Sequence, residues 1–173
     1  MTWTAPEADR PHTPKAADER ASLQGFLDHH RGTLLQKCAG LTESHLRRRA
    51  VEPSGLSLLG LVRHMTEVER SWFRRWIGGD PSIPQLYCTP ENPDGDFDDV
   101  DTADAEAAFA AYSGEIALAD AAAAGHDLGE TFTSRRGQQL SVRWVYLHMI
   151  EEYARHNGHA DFLRERIDGA TGE

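Results

Sequence analysis

The sequence predicts an all-α protein folded as a four-helix bundle. Three observations lead there. Four segments repeat apolar residues at three- and four-residue steps, the spacing of one face of a helix. Each segment is bracketed by residues that start or stop helices. No stretch alternates with the two-residue period of a half-buried strand, so helices must pack on helices.

The first helix is expected over 18–39, with Leu23, Phe26, Leu27, His30, Leu34 and Cys38 on its apolar side and Gly40 ending it. A connection follows, with a short helix possible between Thr42 and Arg49 before Pro53. Ser57 is placed to cap the second helix, 57–77. Its apolar face is Leu58, Leu61, Val62, Met65, Val68, Trp72 and Trp76, and Gly78-Gly79 stops it. Asp80–Asp101 is a Pro-rich loop carrying Asp94, Asp96, Asp98, Asp99 and Asp101. It lacks the glycine-and-glutamate frame of an EF-hand and reads as a solvated loop. An alanine-rich third helix spans 102–124, opened by Thr102. A loop follows, with room for a hairpin around Arg136-Gly137. Ser141 opens the fourth helix, 141–168, which Gly169 ends.

A chain of 173 residues is expected to form one domain, residues 18–173, behind a flexible tail, residues 1–17. The tail holds three prolines and no apolar signal region. A net charge of -10 argues against nucleic-acid binding, which needs a basic footprint. No apolar run reaches membrane-spanning length. The expectation is a cytoplasmic protein with neither nucleic acid nor membrane as partner. Two cysteines do not make a disulfide framework, and Cys38 reads as a small core residue.

The chemistry concentrates in the fourth helix. Val145, Met149, Leu163 and Ile167 share one side, and Glu152 and His156 fall on it too, within roughly 60° of arc. Burying a carboxylate and an imidazole is costly unless something pairs with them. A divalent metal is one such partner, and a Glu-x-x-x-His step points both ligands the same way. A Glu–His hydrogen bond without metal is the plainer alternative. His64, at the edge of the second helix's stripe, is the best third ligand. His30, His148 and His159 compete. His148 and His156 are separated by about 12 Å along the axis, so they cannot share one ion. The set therefore centres on Glu152/His156 or on His148/Glu152. The first pair is more central, which leaves His148 and His159 as flanking groups. Arg63, Arg143 and Arg155 are candidates for holding a polar ligand. Trp72, Trp76 and Trp144 read as core.

Leu59-Gly60-Leu61-Val62-Arg63-His64, followed by Glu69-Arg70-Ser71-Trp72-Phe73, resembles the second-helix signature of the DinB/YfiT-like superfamily. The run from His148 through Glu152, His156-Asn157-Gly158 and His159 to Asp161 resembles the fourth-helix signature of its actinobacterial branch. The resemblance implies a four-helix bundle binding a divalent metal through one second-helix histidine and a His-x-x-x-His pair before glycine. His156 matches the second histidine of that pair, and Glu152 stands in place of the first. A His64/Glu152/His156 set is similar to that of the mycothiol-dependent maleylpyruvate isomerases. Zinc is the expected ion, with nickel, manganese or iron as alternatives. Members of the family use low-molecular-weight thiols, so the resemblance implies a metal-dependent S-transferase or isomerase. Mycothiol would be its co-substrate and an electrophile its second substrate, with a homodimer possible. A metal-water hydrolase and a non-catalytic, stress-associated metal-binding dimer are the alternatives on the same scaffold.

Overall fold

The computed structural model describes residues 2–134 and 136–172. In chain order the elements are α1 (Glu19–Cys38), α2 (Glu43–Arg47), α3 (Leu58–Glu69), α4 (Gly95–Asp98), α5 (Ala105–Ala123), β1 (Thr131–Thr133), β2 (Gln139–Ser141) and α6 (Val142–Asp168). The helix ends follow local chemistry. The side chains of Asp18, Ser57, Asp104 and Ser141 each accept a hydrogen bond from a first-turn N–H of α1, α3, α5 and α6. Gly169, in the left-handed conformation at φ 79°, closes α6. The third long helix starts later than the sequence predicts. Asp99–Asp101 forms a 3-10 turn, so Asp104 rather than Thr102 caps α5.

Helix α3 changes character partway. From Arg70 to Ile77 the chain is π-helical, and the Gly78 N–H bonds back to the Phe73 carbonyl at 2.8 Å. Arg70 and Arg74 both reach Glu115 of α5, which ties this wider segment to the bundle. Such insertions are common beside functional sites.

Helix α1 packs on α6, and α3 on α5, α6 and α4. The core between them includes Leu27, Leu34, Leu61, Met65, Phe73, Met149 and Leu163. It also contains a polar network. Arg31 forms a two-pronged bond with Glu69, at 2.7 and 2.8 Å. The Tyr153 hydroxyl donates to Glu69 at 2.8 Å and pairs with the Tyr112 hydroxyl at 2.8 Å. Glu69, Tyr112 and Tyr153 are fully buried. Every charged group in the network has a partner, the condition under which buried charge is tolerated.

The loop after α5 forms the hairpin expected around Arg136-Gly137. Strands β1 and β2 are antiparallel, with Phe132 opposite Leu140. Residues 2–17, expected as a flexible tail, lie against the bundle instead. Ala5 is buried and exchanges backbone hydrogen bonds with Leu41 and Gly40, both at 2.9 Å. Trp3 packs edge-on against Phe109 with ring centres 5.5 Å apart. Proline stiffens this segment into extended chain, which lowers the entropy lost on docking.

Candidate metal centre and adjoining groove

Helices α3 and α6 bring three of the sequence-derived candidates together. His64, Glu152 and His156 offer ligand atoms that all lie within 4.8 Å of one another. The His156 Nε2 is 3.4 Å from a Glu152 oxygen, and the His64 and His156 rings meet edge to face at 4.8 Å. Two nitrogens and a carboxylate oxygen suit a divalent transition metal. The alternative set around His148 is not the one the bundle assembles. His30 lies on α1 beside Asn157, outside the cluster.

The pair on α6 sits differently from the sequence expectation. Glu152 and His156 are on the flank of the apolar face, not at its middle, with side chains 18 % and 12 % exposed. Tyr153 occupies the middle, and its hydroxyl is satisfied by the core network. The flank position leaves both side chains partly exposed beside His64, which lines the adjoining cavity. Burial, with His64, His159 and Arg155 nearby, pushes the His156 imidazole down to about 4. A neutral imidazole at ordinary pH is the form that ligates metal.

Asp96 is the site residue that the sequence reading missed. The sequence places it in a solvated acidic run, yet it is buried and its Oδ2 lies 2.8 Å from His64 Nδ1. With Nδ1 donating to this carboxylate, the free lone pair of His64 is on Nε2, the arrangement common behind metal-bound histidines. Close packing holds Asp96 there. A side chain on Gly60 would collide with Phe97 at 2.7 Å, and one on Gly95 with the Tyr87 carbonyl at 2.3 Å. Arg63 clamps the same turn by donating to the carbonyls of Gly95 and Asp96 at 2.8 and 3.0 Å. The signal available in the sequence was the glycine before Asp96 together with the His64 and Arg63 pair, both of which need acceptors when buried.

His148 and His159 flank the cluster. His148 Nε2 is 3.6 Å from the second Glu152 oxygen, and His159 Nδ1 is 3.4 Å from His156 Nδ1. The three arginines expected to hold a ligand are committed elsewhere. Arg63 is buried under Tyr87, its guanidinium 4.0 Å from the ring centre. Arg143 pairs with Glu19 and Arg155 with Glu151 at the surface.

Two cavities meet beside the cluster. One, of about 290 Å³, is lined by His64, Asp96, Phe97 and Cys88. The other, of about 610 Å³, is lined by Trp72, Arg75, Trp76, Arg136, Trp144 and His148, among others. Ser71, Trp72 and Gln85 border both, so they form one groove. The tryptophans expected in the core therefore line a cavity, and Trp144 is 40 % exposed. Their helical spacing is the same in either role, which is why periodicity alone cannot separate them. Neither cysteine is a ready nucleophile: burial pushes the Cys38 thiol up to about 12 and the Cys88 thiol up to about 11. Among the described residues, no helix is long and apolar enough to cross a membrane.

A search of curated proteins and one of solved structures each give no match. The family model described as mycothiol-S-transferase matches residues 22–169, from α1 through the end of α6. The match covers both helices of the cluster and the groove beside it. The chain belongs to the mycothiol S-transferase family, within the DinB/YfiT-like superfamily.

Proposed function

We propose that this protein is a metal-dependent transferase that joins mycothiol to an electrophilic small molecule, with His64, Glu152 and His156 as metal ligands. The observation that carries the reading is the convergence of those three side chains beside an open groove. The donor set fits a divalent ion, and zinc is the first choice for two imidazoles and one carboxylate. Such an ion, when bound, lowers the pKa of a coordinated thiol and so makes the nucleophilic thiolate available near neutral pH.

The protein's own residues do the rest. Asp96 fixes the tautomer and tilt of His64. His159 Nδ1 lies 3.4 Å from His156 Nδ1, where it buttresses that ring. His148 contacts Glu152 and packs face to face on Trp144, with ring centres 4.8 Å apart, which links the ligand cluster to the aromatic groove. In the overall reaction the thiol loses its proton to solvent, its sulfur forms a bond to the electrophilic carbon, and the leaving group departs with the electrons of the broken bond.

Turnover of mycothiol with monochlorobimane tests the proposal. The rate is expected to fall on chelation, return with added zinc and fall sharply in Glu152→Gln. A full rate in chelator, in protein shown to be metal-free, would overturn it.

A further inference from the structure

The larger cavity is lined by two arginines and, among the described residues, by no acidic side chain. Arg75, on the π-helical segment, and Arg136, at the hairpin turn, both line it. Neither forms a hydrogen bond or ion pair among the described residues. The neighbours of Arg75 in the same helix, Arg70 and Arg74, are by contrast both held by Glu115. Between the two arginines and the metal-ligand cluster stands an aromatic wall. Trp72 and Trp144 meet at 5.4 Å, and both contact His148, at 4.9 and 4.8 Å. His148 in turn reaches Glu152. The cavity is thus cationic at one end and aromatic along its side, and it ends at His148, the residue that contacts Glu152 of the ligand cluster.

We infer that this cavity binds the electrophile, and that the preferred electrophile is an aromatic or otherwise planar apolar molecule carrying a carboxylate or similar anion. The anion would sit at Arg75 and Arg136, the ring against Trp72 and Trp144, and the reactive carbon toward His148 and Glu152. The inference rests on the transferase reading and adds its substrate class. A volume of about 610 Å³ suits a small molecule of this kind. Planar guanidinium groups bind carboxylates through paired, charge-assisted hydrogen bonds. The thiol co-substrate is the competing occupant. Its sugar-like portion is uncharged and would leave both guanidinium groups unneutralised, so the charge pattern favours the electrophile.

Two measurements separate this inference from the transferase reading. The first needs no metal and no turnover. Binding of 4-methylbenzoate and of its uncharged methyl ester to the metal-free protein is followed by calorimetry and by quenching of tryptophan fluorescence. The carboxylate should bind about tenfold tighter or more, the worth of a charge-assisted hydrogen-bonded pair. Arg75→Gln with Arg136→Gln should abolish that preference while the ester still binds, and Trp144→Ala should weaken both. Equal binding of acid and ester, no binding of either, a preference unchanged in the double variant, or displacement of the carboxylate by mycothiol would each overturn the inference. The second measurement is alkylation of mycothiol by 4-(bromomethyl)benzoate in the metal-loaded enzyme. Here a C–S bond forms as the C–Br bond breaks, bromide leaves and the thiol proton passes to buffer. The double variant should raise KM for this acid by about tenfold or more and leave KM for mycothiol unchanged. A rise in KM for mycothiol instead would overturn the inference. Failure of all turnover, with selective carboxylate binding intact, would count against the transferase reading and not against the cavity's specificity.

Discussion

Replacing Asp96 should loosen metal binding without unfolding the protein. Its side chain is 6 % exposed, and its Oδ2 lies 2.8 Å from His64 Nδ1. Asp96→Ala strips that ring nitrogen, on a side chain 25 % exposed, of its protein acceptor, at a cost of up to about 1–3 kcal/mol where water does not replace it. His64 can escape the cost only by turning toward another acceptor, which moves its other nitrogen off the shared ligand position. A partner of this kind behind a metal-bound histidine is typically worth about 10- to 100-fold in affinity. Asp96→Asn keeps an oxygen that can accept from Nδ1 but removes the charge, so its loss should be nearer the lower bound. Affinity is read by competition against a chromophoric zinc chelator, with circular dichroism as the control for folding. Asp96→Ala protein that folds normally and holds zinc as tightly as the wild type would refute the reasoning.

Two further outcomes follow from particular groups. His156 takes up a proton near its ordinary value of 6.5 when unfolded, but only at about 4 in the metal-free fold. The unfolded state therefore binds the proton first as pH falls, and stability is lost through that window, by about 2 kcal/mol at about pH 5. His156→Asn should lose this share of acid sensitivity in urea titrations of chelated protein at neutral and acid pH; identical pH dependence in the two proteins would count against the account. In the core, Tyr153→Phe should cost about 1–3 kcal/mol, because Tyr112 then lacks an acceptor and Glu69 loses a donor. Adding Tyr112→Phe should cost less than it does alone, since the stranded hydroxyl is gone; strict additivity would show that the two hydroxyls are not coupled.

The long helices were legible because their signals are local. Apolar spacing and the capping side chains of Ser57 and Ser141 act within a turn or two, and the structure has those residues capping α3 and α6. The grouping of Glu152 with His156 was legible for a related reason: they are one helical turn apart, so no long-range knowledge was needed to place them together. His64 required the pairing of α3 with α6, which the family signature supplied. What could not be read depended on contacts far apart in sequence. Asp96 looks like its neighbours Asp94 and Asp98 until the Gly60–Phe97 contact seats its turn against α3. Arg63 is a ligand-binding candidate in sequence because a buried arginine and a ligand-binding arginine look alike there; its bonds to Gly95 and Asp96 depend on the fold. The docking of residues 2–17 depends on an exchange of hydrogen bonds with Gly40 and Leu41 that no local pattern announces.

Cobalt substitution would show whether His64, Glu152 and His156 hold a metal that mycothiol can reach. Cobalt(II) takes zinc-like sites and reports its ligands by absorption. The protein should bind about one cobalt ion per chain, with the intense visible bands of a low-coordinate site. Mycothiol should then add a sulfur-to-cobalt charge-transfer band in the near ultraviolet, and both signals should be absent from a Glu152→Gln, His156→Asn variant that retains its helical content. A variant with the wild-type spectrum, or mycothiol turnover in the cobalt protein with no sulfur band at saturating thiol, would contradict the proposal.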